Sequence, residues 1–419
     1  MNDESDAWAA SALSVRESLW EVVADSAPPD DAATDDAAAA VATVTAVEGS
    51  AYRRPGAKRV LADDAAVGAI TAGCLEGPVA DLAERALADG PVRGTFDLTG
   101  DDAWEFGLGC NGVVDVLVEP ADESFRPALE RVADGERVAL TTVVSGESAD
   151  GSDEYPDAPV GARSLVAENG EVAAADADAR PPLPDDLLAA VRERAGEFAA
   201  AGRSDTVTVE TDRGTAAVFV DGLEPAPELL VFGHGADVRP VARLAREAGF
   251  RVTVATARGA RADAERFSAA HDVVATRPTA VGDAVSRPAD TYAVVMSHNF
   301  VDDRLALESL LDTRVPYVGL MGPRKRFDAM REEFAEAGVE LSAADAERIG
   351  TPVGLDLGGG EPFQIALSVV GEVLAVSNGR AGGRLTDGEG PIHPRSAVGG
   401  DSASSPSPRD DSDSDSESP

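Results

Sequence analysis

Apolar residues in this chain come in short runs separated by polar turns, and the period of the runs changes along the sequence. Val41-Ala-Thr-Val-Thr-Ala-Val47 is an apolar, β-branched run of strand length. Val113 to Val118 is a second such run. Pro78 to Asp89 has helical spacing and opens on Pro, which suits a first helical turn. After residue 225 the pattern becomes regular. Leu229–Gly233, Arg251–Thr256, Asp272–Ala275, Tyr292–Ser297 and Tyr317–Leu320 read as short strands. Helical spacing follows several of them, notably at Val238–Ala248 and Asp302–Leu311. Strands alternating with helices predict a parallel sheet. The fold class expected is α/β, with an N-terminal α+β domain and a C-terminal parallel-sheet domain.

The boundaries follow from composition. Residues 1–7 read as a disordered N-terminus and 8–222 as the first domain, with an acidic loop near 145–158. Residues 25–40 read as a loop leading into a strand. A Pro-rich linker at 223–227 precedes the second domain, 228–378. Residues 379–419 read as a disordered acidic tail, too poor in apolar residues to offset its ordering entropy. The first domain also carries an internal echo. Thr43–Leu61 runs strand, polar loop, then Gly56-Ala57-Lys58; Thr141–Leu165 runs strand, polar loop, then Gly161-Ala162-Arg163. A duplicated unit within one domain would explain it, and so would chance.

Charge changes the picture of partners. The 419 residues hold 36 Lys plus Arg against 76 Asp plus Glu, a net charge of −40. That excludes a general nucleic-acid binder, which needs a basic face, and a polybasic membrane-surface protein. Lys58 and Lys325 are the lysines; the other basic residues are Arg. Acids spread through a chain so poor in Lys resemble the protein style of an extreme halophile, because molar salt screens self-repulsion. Cys74 and Cys110 are the two cysteines, too few for a disulfide framework. No apolar run approaches the roughly 18 residues of a membrane span, and the acidic start is unlike a signal peptide. A cytoplasmic protein is expected.

Against that background, clustered cations stand out. Arg53, Arg54 and Lys58 surround Pro55-Gly56, and Gly73-Cys74-Leu-Glu76-Gly77 follows. Glycines permit close backbone approach and a helix start favours an anion, so these residues suit an anionic small molecule. An exposed Arg pair beside a buried Cys accounts for them equally well. Gly107-Leu-Gly109-Cys110-Asn-Gly112 is a second glycine-flanked Cys; close approach to a ligand would suit it, but the local pattern favours a plain turn into a strand. Leu229-Leu-Val-Phe-Gly233-His234-Gly235-Ala-Asp-Val238 has the strand, Gly turn and helix of a dinucleotide-binding unit. It departs from that fingerprint at Val238, where a third Gly would stand, and at Thr256, where an acidic residue would hold a ribose. Tyr317-Val-Gly319-Leu-Met-Gly322-Pro-Arg324-Lys325-Arg326 places Gly and three cations at a strand-to-helix turn, which suits phosphate. Pro352-Val-Gly354-Leu-Asp356-Leu-Gly358-Gly-Gly360 is a further Gly-rich turn before the helix Pro362–Val376. His234 and His298 fall on one predicted sheet edge and could face one ligand; His271 and His393 read as surface residues. No metal-ligand set or nucleophile–base pair is visible.

Several of these motifs together, in this order, resemble the XdhC/CoxI family, accessory proteins of xanthine dehydrogenase and related molybdenum hydroxylases. The motifs are Arg53-Arg54-Pro-Gly-Ala-Lys58, Gly73-Cys74-Leu-Glu76-Gly77, Gly107-Leu-Gly-Cys110, the Gly233–Gly235 turn, Thr291-Tyr-Ala-Val-Val-Met-Ser-His298, Tyr317-Val-Gly-Leu-Met-Gly322 with Arg324, and Pro352-Val-Gly-Leu-Asp356. The resemblance covers most of residues 8–378 and implies a Rossmann-like C-terminal domain. It also implies a chaperone that holds the molybdopterin-type molybdenum cofactor while a cysteine desulfurase supplies its sulfido ligand. The chaperone then inserts it into an apo molybdenum hydroxylase. A pocket between the two domains would shield the cargo.

The implied cofactor-binding residues are Arg53, Arg54, Gly56, Lys58, Gly73, Cys74, Glu76, Gly77, Cys110, Gly233, His234, Gly235, His298, Gly322, Arg324, Lys325 and Asp356. No catalytic or metal-ligating residue is implied, and a homodimer is allowed. The chain departs from the family where Gly233-His234-Gly235-Ala236 replaces Gly-Ala-Gly-His. Thr256-Ala257-Arg258 stands where Asp before Pro-Arg is common, and Asn111 replaces a small residue. The first two departures argue against NAD(P). An NAD(P)-dependent oxidoreductase on the second domain is the alternative reading, and a redox-sensing interaction protein using Cys74 and Cys110 is a third.

Overall fold

What covers the first apolar run explains why it does not alternate. The computed structural model describes residues 8–25, 39–62, 65–99, 111–173, 180–259 and 262–387. Strand β1 (Ala39–Ser50) is buried continuously from Ala39 to Thr45. It lies inside an antiparallel sheet of order β3-β2-β1-β5-β4. The others are β2 (Lys58–Ala62), β3 (Ala65–Gly68), β4 (Val92–Asp97) and β5 (Asn111–Pro120). Helix α1 (Ala12–Asp25) packs on β2 and β3. Helix α2 (Glu76–Asp89) covers the opposite face, with Val79, Leu82, Ala83 and Ala86 against Ala40, Ala42, Val44, Val114 and Val116. A strand covered on both faces has no polar side, so the period-2 signal disappears.

The same unit then recurs. Helix α3 (Arg126–Ala133) is followed by β6 (Val138–Ser148), β7 (Arg163–Ala167), β8 (Val172–Ala173), helix α4 (Asp185–Ala201), β9 (Ser204–Thr211) and β10 (Gly214–Leu223). Their sheet has the order β8-β7-β6-β10-β9, the first order repeated. Both central strands carry an irregularity in register at matching places, at Thr45 of β1 and Val144 of β6. Val44 exchanges backbone hydrogen bonds with Gly56 and Ala57 (2.8 and 2.9 Å), and Val143 with Gly161 and Ala162 (2.9 Å each). The faint sequence echo is therefore a duplication of a whole α-β-β-β-α-β-β unit. One shared core takes residues from both copies: Val15, Leu19, Val41 and Val60 with Leu129, Val132, Leu140 and Leu165.

The segment expected as an acidic surface loop is partly internal. Tyr155 is 1% exposed, and its hydroxyl lies 2.5 Å from both Asp186 and Thr211.

The C-terminal sheet is parallel, of order β13-β12-β11-β14-β15-β16. Its strands are β11 (Glu228–Phe232), β12 (Arg251–Thr256), β13 (Asp272–Ala275), β14 (Thr291–Val295), β15 (Tyr317–Leu320) and β16 (Ile349–Gly350). Alternate residues of β11 feed opposite layers. Leu229 and Val231 meet α5 (Val238–Glu247) and α9 (Pro362–Ser377); Leu230 and Phe232 meet α6 (Phe300–Leu311) and α7 (Arg324–Glu336). A short helix, α8 (Ala343–Glu347), precedes β16. The strand order reverses direction between β11 and β14, which is the topological switch point of a Rossmann-like sheet. By contacts the chain divides into residues 1–382 and a remainder from Gly383, of which a short 3-10 turn, Leu385–Asp387, is described. Among the described residues no helix is long and apolar enough to cross a membrane.

Candidate functional site

Glycine turns and cations gather at the carboxyl edge of the parallel sheet. Gly233-His234-Gly235 follows β11, His298 follows β14, and Gly322-Pro-Arg324-Lys325 follows β15 into α7. Gly354 to Gly360 follows β16 and leads into α9. A cleft of about 450 Å³ is formed by the turn after β16 and by α9, lined by Gly354, Asp356, Gly358, Gly359, Ile365 and Ser368 among others of the same segment; the Gly233 turn, His298, Arg324 and Lys325 do not line it. That volume lies within the range of small-molecule sites. Gly322 has φ +119°, and Gly354 has φ +120° with its N–H donating to Glu372. Both are conformations that a side chain rarely adopts. Arg324 and Lys325 are exposed and make no ion pair among the described residues. Arg326, by contrast, pairs with buried Asp303 at 2.6 Å.

His298 is the most constrained residue of this edge. Its φ of +62° is left-handed, a conformation costing a non-glycine residue on the order of 1 kcal/mol. Its neighbour Ser297 is fixed first: Asp303 accepts from the Ser297 N–H at 3.0 Å and from its hydroxyl at 2.5 Å. Asn299 then caps α6 by accepting from the Asp302 N–H at 2.9 Å. Held from both sides, His298 places Nε2 2.6 Å from Asp237 Oδ2. Asp237 is the N-cap residue of α5, yet its side chain makes no capping bond there. A side chain added at Gly235 would strike this carboxylate. The negative charge thus lies against the turn that would cradle a dinucleotide's pyrophosphate, which opposes such a ligand.

Nothing along the chain singles out Asp237 or Asp303. Asp237 stands in view between the Gly turn and the helix. Its link to His298 crosses from one strand end to the next, which no sequence spacing reveals.

The first constellation lies elsewhere. Contacts of the N-terminal half reach the parallel sheet at its amino edge. Arg137 pairs with Asp290 just before β14, Glu17 meets His271 just before β13, and Ser11 adjoins Gly249 just before β12. The expected pocket between two domains is therefore not where the Gly turns are, since the two edges are about 15 Å apart over strands of this length.

The loop carrying Arg53 and Arg54 stays with the first half, where Tyr52 stacks on Trp8 at 5.9 Å. Lys58 does not join that pair at the surface. Its ammonium is buried against Asp221 Oδ2 at 2.5 Å, and Gly56 packs against Ser204 and Asp221. Lys58 has a counterpart: Arg163, at the same place in the second unit, pairs with Glu119, which matches Asp221. Each unit gives its cation to the other's acid. Burial raises the Glu119 carboxyl above its ordinary range, opposed by the charge of Arg163.

Cys74 is half-buried just ahead of α2, whose first residue is Glu76 rather than the expected Pro78. Glu76 faces Arg59 at 3.8 Å and lies over Gly73, while Gly77 is open. Cys110 and its preceding glycines lie outside the described residues. His271, expected at the surface, is packed at the amino edge, accepting from the Val252 N–H at 2.9 Å.

Known proteins share both halves of this architecture. Residues 229–373 match the family described as XdhC Rossmann domain, and residues 32–97 match the XdhC and CoxI family. The chain is 28% identical over 346 residues to a probable xanthine dehydrogenase subunit of Bacillus subtilis (strain 168), covering 80% of this chain and 92% of that protein. It is 28% identical over 182 residues to the uncharacterized protein YqeB of Escherichia coli (strain K12), covering 43% of this chain and 32% of that protein. A crystal structure described as a xanthine dehydrogenase from Bacillus halodurans has the same fold, with a TM-score of 0.64 at 24% identity. The match covers 87% of this chain and 96% of that one.

Proposed function

Since the chain belongs to the XdhC and CoxI family, we propose that it is an accessory protein of a xanthine dehydrogenase-type molybdenum hydroxylase, carrying the molybdenum cofactor as cargo. The observation that carries this reading is the open carboxyl edge. Arg324 and Lys325, with no ion pair among the described residues, open α7 at the same edge of the sheet as the glycine-lined cleft, in a molecule of net charge −40. Those residues suit a phosphate-bearing pterin. Arg324 and Lys325 would take the phosphate, and the Gly354–Gly359 backbone with Asp356 would receive the polar ring edge. The cargo supplies the molybdenum chemistry; the chain binds and orients it. Among the described residues, the N-terminal half meets the sheet at the opposite end, which leaves this edge accessible for hand-over. Beside the cleft, Leu357, Phe363 and Leu367 are exposed apolar side chains, which suits contact with a client. In this reading the partners are a cysteine desulfurase and the apo-hydroxylase, and the protein itself performs no turnover.

The reading puts the cargo near Arg324 rather than near Arg53. Arg324→Ala with Lys325→Ala is expected to lower pterin content about tenfold, equivalent to about 1.4 kcal/mol, while Arg53→Ala with Arg54→Ala retains it. Oxidised extracts of protein made in a molybdopterin-producing host, read by pterin fluorescence, check this. Loss in the Arg53/Arg54 variant with retention in the other would reverse the assignment.

A further inference from the structure

We propose that His298 is a proton-accepting residue for the ligand of the carboxyl edge, and that Asp237 is its positioning residue. The inference rests on reading that edge as the ligand-binding end, but its geometry is independent of the cargo's identity. Asp237 can only accept at the 2.6 Å contact, so Nε2 carries a proton, and in the neutral form of the ring that tautomer is the one the contact selects. Nδ1 is then left with its lone pair. The ring is 58% exposed and stands at the switch point between β11 and β14, where ligands of such sheets bind. A ligand N–H, O–H or S–H could give its proton to Nδ1, and the resulting imidazolium would lie against the Asp237 carboxylate. The step moves one proton and needs no other reactant.

Two features separate this from a structural role. Asp237 forgoes the capping bond that its position offers and turns to His298 instead. His298 also sits at φ +62°, where glycine would be relaxed, on an edge that uses glycine freely. A residue kept in an unfavourable conformation with an outward ring points to chemistry more than to packing. The charged groups nearby are accounted for. Asp303 holds Ser297 and Arg326, and Asp302 holds Arg258 at 2.9 Å, so Asp237 is the carboxylate on the ring.

Two measurements on the full chain test it. In the first, diethyl pyrocarbonate modifies histidines of the wild type and Asp237→Asn, with rates resolved by peptide mass spectrometry. The rate at His298 is expected to fall about tenfold in the variant, because the ring loses the carboxylate that fixes its tautomer and supports its basicity, with the rate at His271 unchanged. An unchanged rate at His298 would overturn the proposal. In the second, His298→Gly is expected to unfold at the wild-type temperature or higher, because strain is relieved, yet to lose bound pterin. A variant that unfolds earlier, or one that keeps its pterin, would show a structural residue instead. If the wild type carries no pterin, the cargo reading fails, and the modification rates alone decide for or against the pair.

Discussion

Lys58 and Arg163 occupy one position in two copies of one unit, and their reciprocal pairs with Asp221 and Glu119 join the copies through the core. Removing one partner of a buried pair strands the other charge, which costs more than the pair itself contributes. Arg163→Met is therefore expected to lower unfolding free energy by about 3–5 kcal/mol. Adding Glu119→Leu should recover most of that loss. Denaturant unfolding of the single and double variants checks both values. The sequence groups Lys58 with Arg53 and Arg54 as a candidate anion-binding cluster because it stands five residues from Arg53 in a polar stretch. The acid that takes it up is supplied by β10, far along the chain, so only the fold reveals its burial. The pairing of His298 with Asp237 was hidden in the same way. The position of Arg324 and Lys325 at the start of a helix was legible because it is local, a Gly-Pro turn into a helix.

At the scale of elements, most of the parallel sheet could be read directly. β12, β13 and β15 fall where the apolar runs place them, because each run is short and bounded by turn residues. The Pro362 helix was equally plain. The duplication was visible only as an echo, since the copies share geometry more than sequence. Its glycines carry the prediction. Gly56 (φ +94°) and Gly161 (φ +92°) make matching turns, and an added Cβ would lie 2.6 Å from Ser204 Oγ or Pro91 Cγ. Gly56→Ala and Gly161→Ala should each destabilise by roughly 2–3 kcal/mol, measured by thermal unfolding.

The packing of α1 gives a pH dependence. His271 Nδ1 accepts from Val252, so the ring must stay neutral, and burial lowers its pKa below the usual histidine value against the pull of Glu17. The neutral ring is thus favoured by folding. Its contribution is present above about pH 6.5 and is lost as pH falls through the lowered folded value. Wild type should lose stability over that window, and His271→Gln should lose less of it. Equal acid sensitivity in both would contradict the assignment.

At the scale of the whole molecule, the N-terminal half and the open cleft occupy opposite edges of the parallel sheet. Under the proposed function, cargo would be presented at one end while the duplicated half remains folded against the other. The claim that this end holds a molybdenum-cofactor pterin is central, and the pterin content of the purified wild-type chain tests it most directly. Protein from a molybdopterin-producing host should release the oxidised pterin fluorophore in near-equimolar amount. Absence of that fluorescence, where a known cofactor carrier treated alike shows it, would contradict the account.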